Sequence, residues 1–226
     1  MAPFLIFLIL LLSSCGGLPA IKKPAYLSGE QHSDCPSPFL KKPLRLIHAI
    51  EMKMGKEPRG AVIGVTLADP ATRFISCAIL TAEGVVLFEA QAAPSLKVFR
   101  ALPPFDSLDF AQNMIDDIKL IFFAPGGKML AGGTLEDGTE ICRYRDEGGN
   151  WIDVRAGIAE KIEINKYSST GILKRQIKLD RTKGNIYQHI ELTAQERFNY
   201  ALTMTLLEME PVESELLKED AEGDVK

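Results

Sequence analysis

Near its C-terminal end the chain sets Phe198, Tyr200, Leu202, Met204 and Leu206 in alternation with Asn199, Ala201, Thr203 and Thr205. A period of two over that length predicts a strand with one buried face, and such a strand requires paired neighbours and an apolar cover. The neighbours are legible. Residues 61–67, 73–80, 85–88 and 96–99 are apolar or β-branched runs broken by Asp69-Pro70, Ala82-Glu83-Gly84 and Ala92-Ala93-Pro94. Further on, Asp137-Gly138 is a hairpin signal between residues 129–135 and 140–145. Runs at 151–154, 161–167, 173–180 and 186–192 are bounded by Gly-, Ser- and Asn-containing turns. Short strands joined by tight turns predict an antiparallel meander. The first three runs are apolar on both faces, which requires cover on each side or leaves apolar surface over.

Two segments carry helical spacing instead. Pro43 suits a first helical position, and Leu44, Ile47, Ile50 and Met54 then share one face up to the break at Glu57-Pro58-Arg59-Gly60. The second follows Pro103-Pro104-Phe105, where Asp106 or Ser107 can cap and Asp109 suits the first turn. Leu108, Ala111, Ile115, Ile118 and Phe122 form its stripe, and Phe110, Met114 and Ile121 widen it beyond half the circumference. Gln112, Asn113, Asp116, Asp117 and Lys119 are the polar remainder. A helix this apolar is covered on most sides.

The N-terminus is of a different kind. An apolar run from Phe4 ends in Leu12-Ser13-Ser14-Cys15 and is followed by Gly16-Gly17. A short apolar run closed by small residues predicts a secretory signal peptide, although Met1-Ala2-Pro3-Phe4 carries no cation. It is shorter than the roughly 20 residues of a spanning helix. Leu12-Ser13-Ser14-Cys15 resembles a bacterial lipobox. That resemblance implies cleavage before Cys15, acylation of its thiol with palmitate-like chains and, with no Asp after it, outer-membrane sorting facing the periplasm. Two or more acyl chains anchor a protein stably. An ordinary signal peptide with an incidental cysteine is the other reading. The expected divisions are a signal over 1–14, a tether over 15–42, the sheet domain over 43–210 and an acidic, disordered tail over 211–226.

A net charge of -4 without a basic stripe gives no reason to expect nucleic acid. With Cys15 lipidated, Cys35, Cys77 and Cys142 remain, an odd number, so they cannot all pair. Whether two of them form a disulfide is open. Cys77, in an apolar run, reads as a buried free thiol.

The order of elements brings a family into view. Val98-Phe99-Arg100-Ala101-Leu102-Pro103 resembles the strand-to-helix junction of the LolA/LolB lipoprotein-localisation family. Asp137-Gly138 followed by Gly149-Asn150-Trp151 resembles its central hairpins, and the run from Gly171 to Leu179 its closing hairpin, with Leu173 where LolB-like chains often carry proline. The resemblance is one of pattern over about residues 43–210. It implies an α+β, mostly β fold: a strongly curved antiparallel sheet, an unclosed barrel, with helices covering or plugging its concave face around an acyl-chain cavity. Val65, Phe74, Val86, Phe88, Phe99, Ile115, Ile118 and Phe122 are the expected lining, and Lys174 and Arg175 the expected head-group contacts. The implied role is non-catalytic: a lipid-anchored envelope protein binding acyl chains of lipoproteins or glycolipids, as a lipoprotein receptor or localisation factor, with a periplasmic carrier as partner. A structural or assembly lipoprotein with a filled core that docks a protein partner is the alternative.

No residue pattern points to catalysis. His32, His48 and His189 stand apart without a ligand partner at i+4, and no C-x-x-C occurs, so no metal or cofactor is expected. Ser76-Cys77 lacks a nucleophile elbow, and Gly126-Gly127 and Gly132-Gly133 do not lead into a P-loop helix. Asp116-Asp117 reads as a solvated pair, and Lys174-Arg175 with Lys178 and Arg181 as a solvated strand face if not a head-group site. Trp151 fits a core or a membrane-interface position equally.

Overall fold

A computed structural model describes residues 17–25, 35–55, 57–93, 95–157, 161–181, 187–195 and 199–213. Cys15 and its signal run, His32, the turn at Lys183-Gly184-Asn185, Phe198 and all of the acidic tail beyond Glu213 lie outside the described residues. The strands are β1 (Lys22–Ala25), β2 (Leu44–Met54), β3 (Glu57–Asp69), β4 (Phe74–Leu80), β5 (Val86–Ala92) and β6 (Leu96–Ala101). One helix, α1 (Leu108–Phe122), leads to β7 (Lys128–Thr134), β8 (Glu140–Arg145), β9 (Trp151–Ala156) and β10 (Lys161–Tyr167). Then follow β11 (Leu173–Arg181), β12 (Tyr187–Ala194) and β13 (Tyr200–Pro211).

The thirteen strands among the described residues form one sheet in the order β1-β7-β8-β9-β10-β11-β12-β13-β2-β3-β4-β5-β6. Each meander is a run of antiparallel neighbours, and β13 joins the two by pairing with β12 on one side and β2 on the other. The β13–β2 ladder runs from Tyr200↔Met54 to Pro211↔Leu44, with one irregularity at Leu206/Glu208. Because β6 is one edge and β7 lies at the far end, the β6–β7 connection has to cross the sheet. That connection is α1.

Several sequence expectations are corrected here. The strongly curved, unclosed barrel expected is corrected to one open sheet, whose ladder ends at two separate edges, β1 and β6. One helix, not several, lies on it among the described residues. The helix expected from Pro43 is strand β2, in which Leu44, Leu46 and His48 are buried while Arg45, Ile47 and Ala49 are half-buried. A run apolar on both faces satisfies both periods, and pairing with β13 and β3 selects the extended form. Parts of the segment expected as a tether are held against the sheet: β1 pairs with β7, and Cys35 forms a disulfide with Cys142.

The remaining runs take the predicted form. Ser107 caps α1 by accepting from the Phe110 N–H at 3.1 Å, and Asp109 occupies the first turn. On the helix-side face of the sheet, Ile75, Phe88, Val154, Ile164, Ile177 and Leu192 are fully buried. On the other face of β2–β4, Ile47, Ile63, Val65, Leu67 and Ala78 are half-buried, shielded by one another across the strands. Trp151 stacks under the Arg145 guanidinium, 4.8 Å from its ring centroid, and donates its indole N–H to the Ser169 carbonyl at 3.3 Å.

Gly127, which starts the turn out of α1, has φ +94, and a Cβ there would collide with the Arg145 carbonyl oxygen. Gly84 has a similar φ of +87 with nothing within 4 Å. Gly127→Ala is therefore expected to lower stability by about 2 kcal/mol or more, and Gly84→Ala by about 1 kcal/mol, from backbone strain. Urea midpoints of the two variants check the difference.

Candidate functional site

The candidate site is the apolar interior between α1 and the sheet. The helix buries Ala111, Ile115, Ile118, Leu120, Ile121 and Phe122 against strands from both meanders. Its first turns rest on β5, where the Phe110 ring meets Phe88 edge-on at 6.0 Å and Phe105 at 5.2 Å. Its last turn rests on β2, with Phe122 6.1 Å from the His48 ring. The helix stops as the Phe123 N–H bonds to the Lys119 carbonyl at 2.9 Å, and Arg73 Nη1 reaches the Ala124 carbonyl at 3.2 Å. Both walls are aliphatic and aromatic.

One polar cluster interrupts it. Arg175 on β11 donates from Nε to Asp117 Oδ1 on α1 at 2.8 Å, and the Tyr200 hydroxyl on β13 donates to the other carboxylate oxygen. Arg175 Nη2 reaches Asn113 Oδ1 at 3.4 Å, Nη1 donates to the Lys174 carbonyl at 3.1 Å, and the guanidinium lies 5.6 Å from the Tyr200 ring centroid. Asp117 and Arg175 are each 6% exposed. Burial pushes the Asp117 carboxyl up, while Arg175 and Tyr200 pull it back, and the Tyr200 phenol is raised by burial and by the neighbouring carboxylate. This cluster fixes α1 to two strands.

Sequence reasoning missed this pair, although the signal was present. Asp117 lies at helical spacing with Phe110, Met114 and Ile121, the inward stripe, and Arg175 shares strand parity with Ile177 and Leu179. The reading of Asp116-Asp117 as solvated is corrected for Asp117. The reading of Arg175 as a surface head-group contact is corrected likewise, since its charge faces the interior. Lys174 is half-buried, on the other face of β11.

The expected lining residues divide. Phe88, Ile115, Ile118 and Phe122 come together in the interior. Val65 and Phe74 lie on the opposite face, because their register partners Ile47 and Asp69 alternate with the inward Leu46 and Ala68. Val86 is half-buried at the start of β5. Phe99 is 45% exposed at the β6 edge, in the bulge where Arg100 pairs with Glu89 and Val98 with Ala90.

His48 is buried on the inward face of β2, which lowers its pKa to about 4. His189 is half-exposed, 3.7 Å from Glu191. Cys77 is buried and free as expected, its thiol pushed up to about 12 by burial. On the face away from α1, Asp153 is fully buried under a two-point bond from Arg143, Nε to Oδ1 at 2.7 Å and Nη2 to Oδ2 at 2.8 Å. The same Arg143 Nη2 donates to the Pro19 carbonyl at 3.0 Å, which seats the N-terminal segment on this face. Among the described residues no group of three or more His, Cys, Asp or Glu could hold a metal ion, and no helix is long and apolar enough to cross a membrane.

No protein-family model and no curated protein matches the chain. Among solved structures, the LolA superfamily protein NE2245 from Nitrosomonas europaea is similar, with a TM-score of 0.53 over 81% of this chain and 93% of that one. The two chains share a fold. Their sequence identity is 13%, so the likeness is one of fold alone.

Proposed function

We propose that the chain is a non-catalytic envelope protein that takes an acyl chain of a lipoprotein or glycolipid between α1 and the sheet, held at the outer membrane by lipid on Cys15 and facing the periplasm. The observation that carries this reading is the helix itself: a single apolar element spans the sheet face, meeting β5 at Phe110 and β2 at Phe122. The fold shared with a LolA-superfamily protein supports it. Phe88, Ile115, Ile118 and Phe122 are the proposed acyl contacts. A periplasmic carrier delivering a lipoprotein is the proposed partner.

The test is displacement of a fluorescent fatty-acid probe from the purified chain by saturated fatty acids of increasing length. Each methylene buried is worth about 0.8 kcal/mol, so affinity is expected to rise roughly fourfold per added CH₂ until the interior is filled. A chain that takes up no probe would overturn the proposal. For the anchor, Cys15→Ser is expected to abolish palmitate labelling and release the protein from membranes; retained labelling would remove the lipid from the scheme.

The second reading, a structural lipoprotein with a filled core, is favoured by one feature. Val98, Phe99, Leu102 and Leu108 are exposed apolar side chains near the free edge β6. Probe uptake separates the two.

A further inference from the structure

Residues 35–43 run from the disulfide on β8 past the end of α1 to the start of β2. Residues 35–43 have neither helical nor strand backbone, yet Pro38 and Phe39 are buried, Phe39 at 3% exposure within the same apolar cluster as α1. The Leu40 N–H donates to the Phe122 carbonyl at 3.0 Å, so the segment lies against the last turn of the helix. One end continues into β2. The other is fixed by the Cys35–Cys142 disulfide to β8, and β9 to β13 lie between β8 and β2 in the ladder. Cys142 is buried, whereas Cys35 is half-buried.

We propose that residues 35–43 are a redox-released strap: the Cys35–Cys142 bond holds Phe39 in the interior beside α1, and its reduction by a dithiol frees the segment and uncovers that end of the interior. The more accessible sulfur, Cys35, is the point of attack. A thiolate of the dithiol forms a mixed disulfide with Cys35, and Cys142 leaves as a thiolate that takes up a proton. The second thiol of the reductant then displaces Cys35, leaving the reductant oxidised and both cysteines as thiols. Cys77, buried on β4, stays out of the exchange. The sheet does not need the bond, because β8 is paired on both sides, to β7 and β9. The strap does. It forms no ladder with any described strand and is held by the burial of Phe39 and its neighbours, by the backbone bond from Leu40 to α1 and, where it meets β2, by the bond from the Val212 N–H to the Pro43 carbonyl.

The strap covers the interior whatever occupies it, so it is tested without any acyl chain. Hydrogen exchange is followed by mass spectrometry on the full chain, oxidised, reduced with dithiothreitol, and as the double variant Cys35→Ser with Cys142→Ser. In the reduced and doubly substituted forms, peptides over residues 35–43 and 118–124 are expected to exchange at least tenfold faster, with β10 to β12 unchanged. Phe39→Ala with the disulfide intact is expected to speed exchange at 118–124. Equal protection of residues 35–43 in all forms would overturn the proposal. Faster exchange throughout the sheet would overturn it too, by showing a staple for the whole domain. A chain that binds no fatty acid but shows the local opening loses its proposed cargo and keeps its strap.

Discussion

Arg175→Met is expected to cost about 3–5 kcal/mol of folding stability, because it leaves the Asp117 carboxylate buried without its cation. The alternative for the protein is to protonate Asp117, which forfeits the charge-assisted bonds that join α1 to β11 and β13. Replacing both partners behaves differently. Asp117→Leu combined with Arg175→Met removes both desolvation penalties and fills the gap with hydrocarbon, so most of the loss should return. Urea unfolding of the parent, the single variants and the double variant measures the coupling. Tyr200→Phe removes the second donor to Asp117 and is expected to cost about 1.5–3 kcal/mol. A single Arg175→Met variant within about 1 kcal/mol of the parent, the size of an exposed pair, would show that the pair contributes little.

Acidification should destabilise the protein through His48. In the unfolded chain this group titrates at its ordinary value of 6.5, whereas in the folded state burial holds it at about 4. Between those values the unfolded state binds the proton and the folded state does not, so stability rises with pH across the window. The contribution is complete above 6.5 and is lost as pH falls through about 4. Each pH unit between the two values is worth about 1.4 kcal/mol, which brings the whole contribution to about 3 kcal/mol. The folded Asp117, whose carboxyl is raised by burial, contributes with the opposite sign, stabilising the fold relative to the unfolded chain on the acid side. His48→Leu isolates the histidine, since leucine at this position continues the inward series of Leu44 and Leu46. The difference in urea midpoint between parent and variant should widen from about pH 7 to about pH 4 in the variant's favour. A constant difference would mean that His48 is charged or solvated in the folded state.

How much was legible follows from the physics of each segment. The hairpin at Asp137-Gly138 was readable because the turn needs a positive φ, found at Gly138 as +84, and its flanking strands are fixed by that turn. Helix α1 was readable because its cap, stripe and terminating Pro125-Gly126-Gly127 agree with one another. Segment 44–54 was misread because it is apolar on both faces, with Leu44, Leu46 and Ile50 on one and Ile47 on the other, and local pattern cannot choose between the two periods. Asp117 and Arg175 were read as surface charges because composition treats a charge as solvated. Helical phase and strand parity each place one of them inward, but neither shows that the other waits there.

The amino-acid order alone determined the strands with decisive turns, the one capped helix and the buried free thiol at Cys77, since each depends on residues within a few positions of one another. Tertiary structure decided that β2 is extended, that β13 joins two meanders into one open sheet, and that Cys35 meets Cys142. It also decided that a carboxylate on α1 meets a guanidinium on β11 across the interior. These are pairings between distant parts of the chain, and their energy exists only when both partners have left water for the same place.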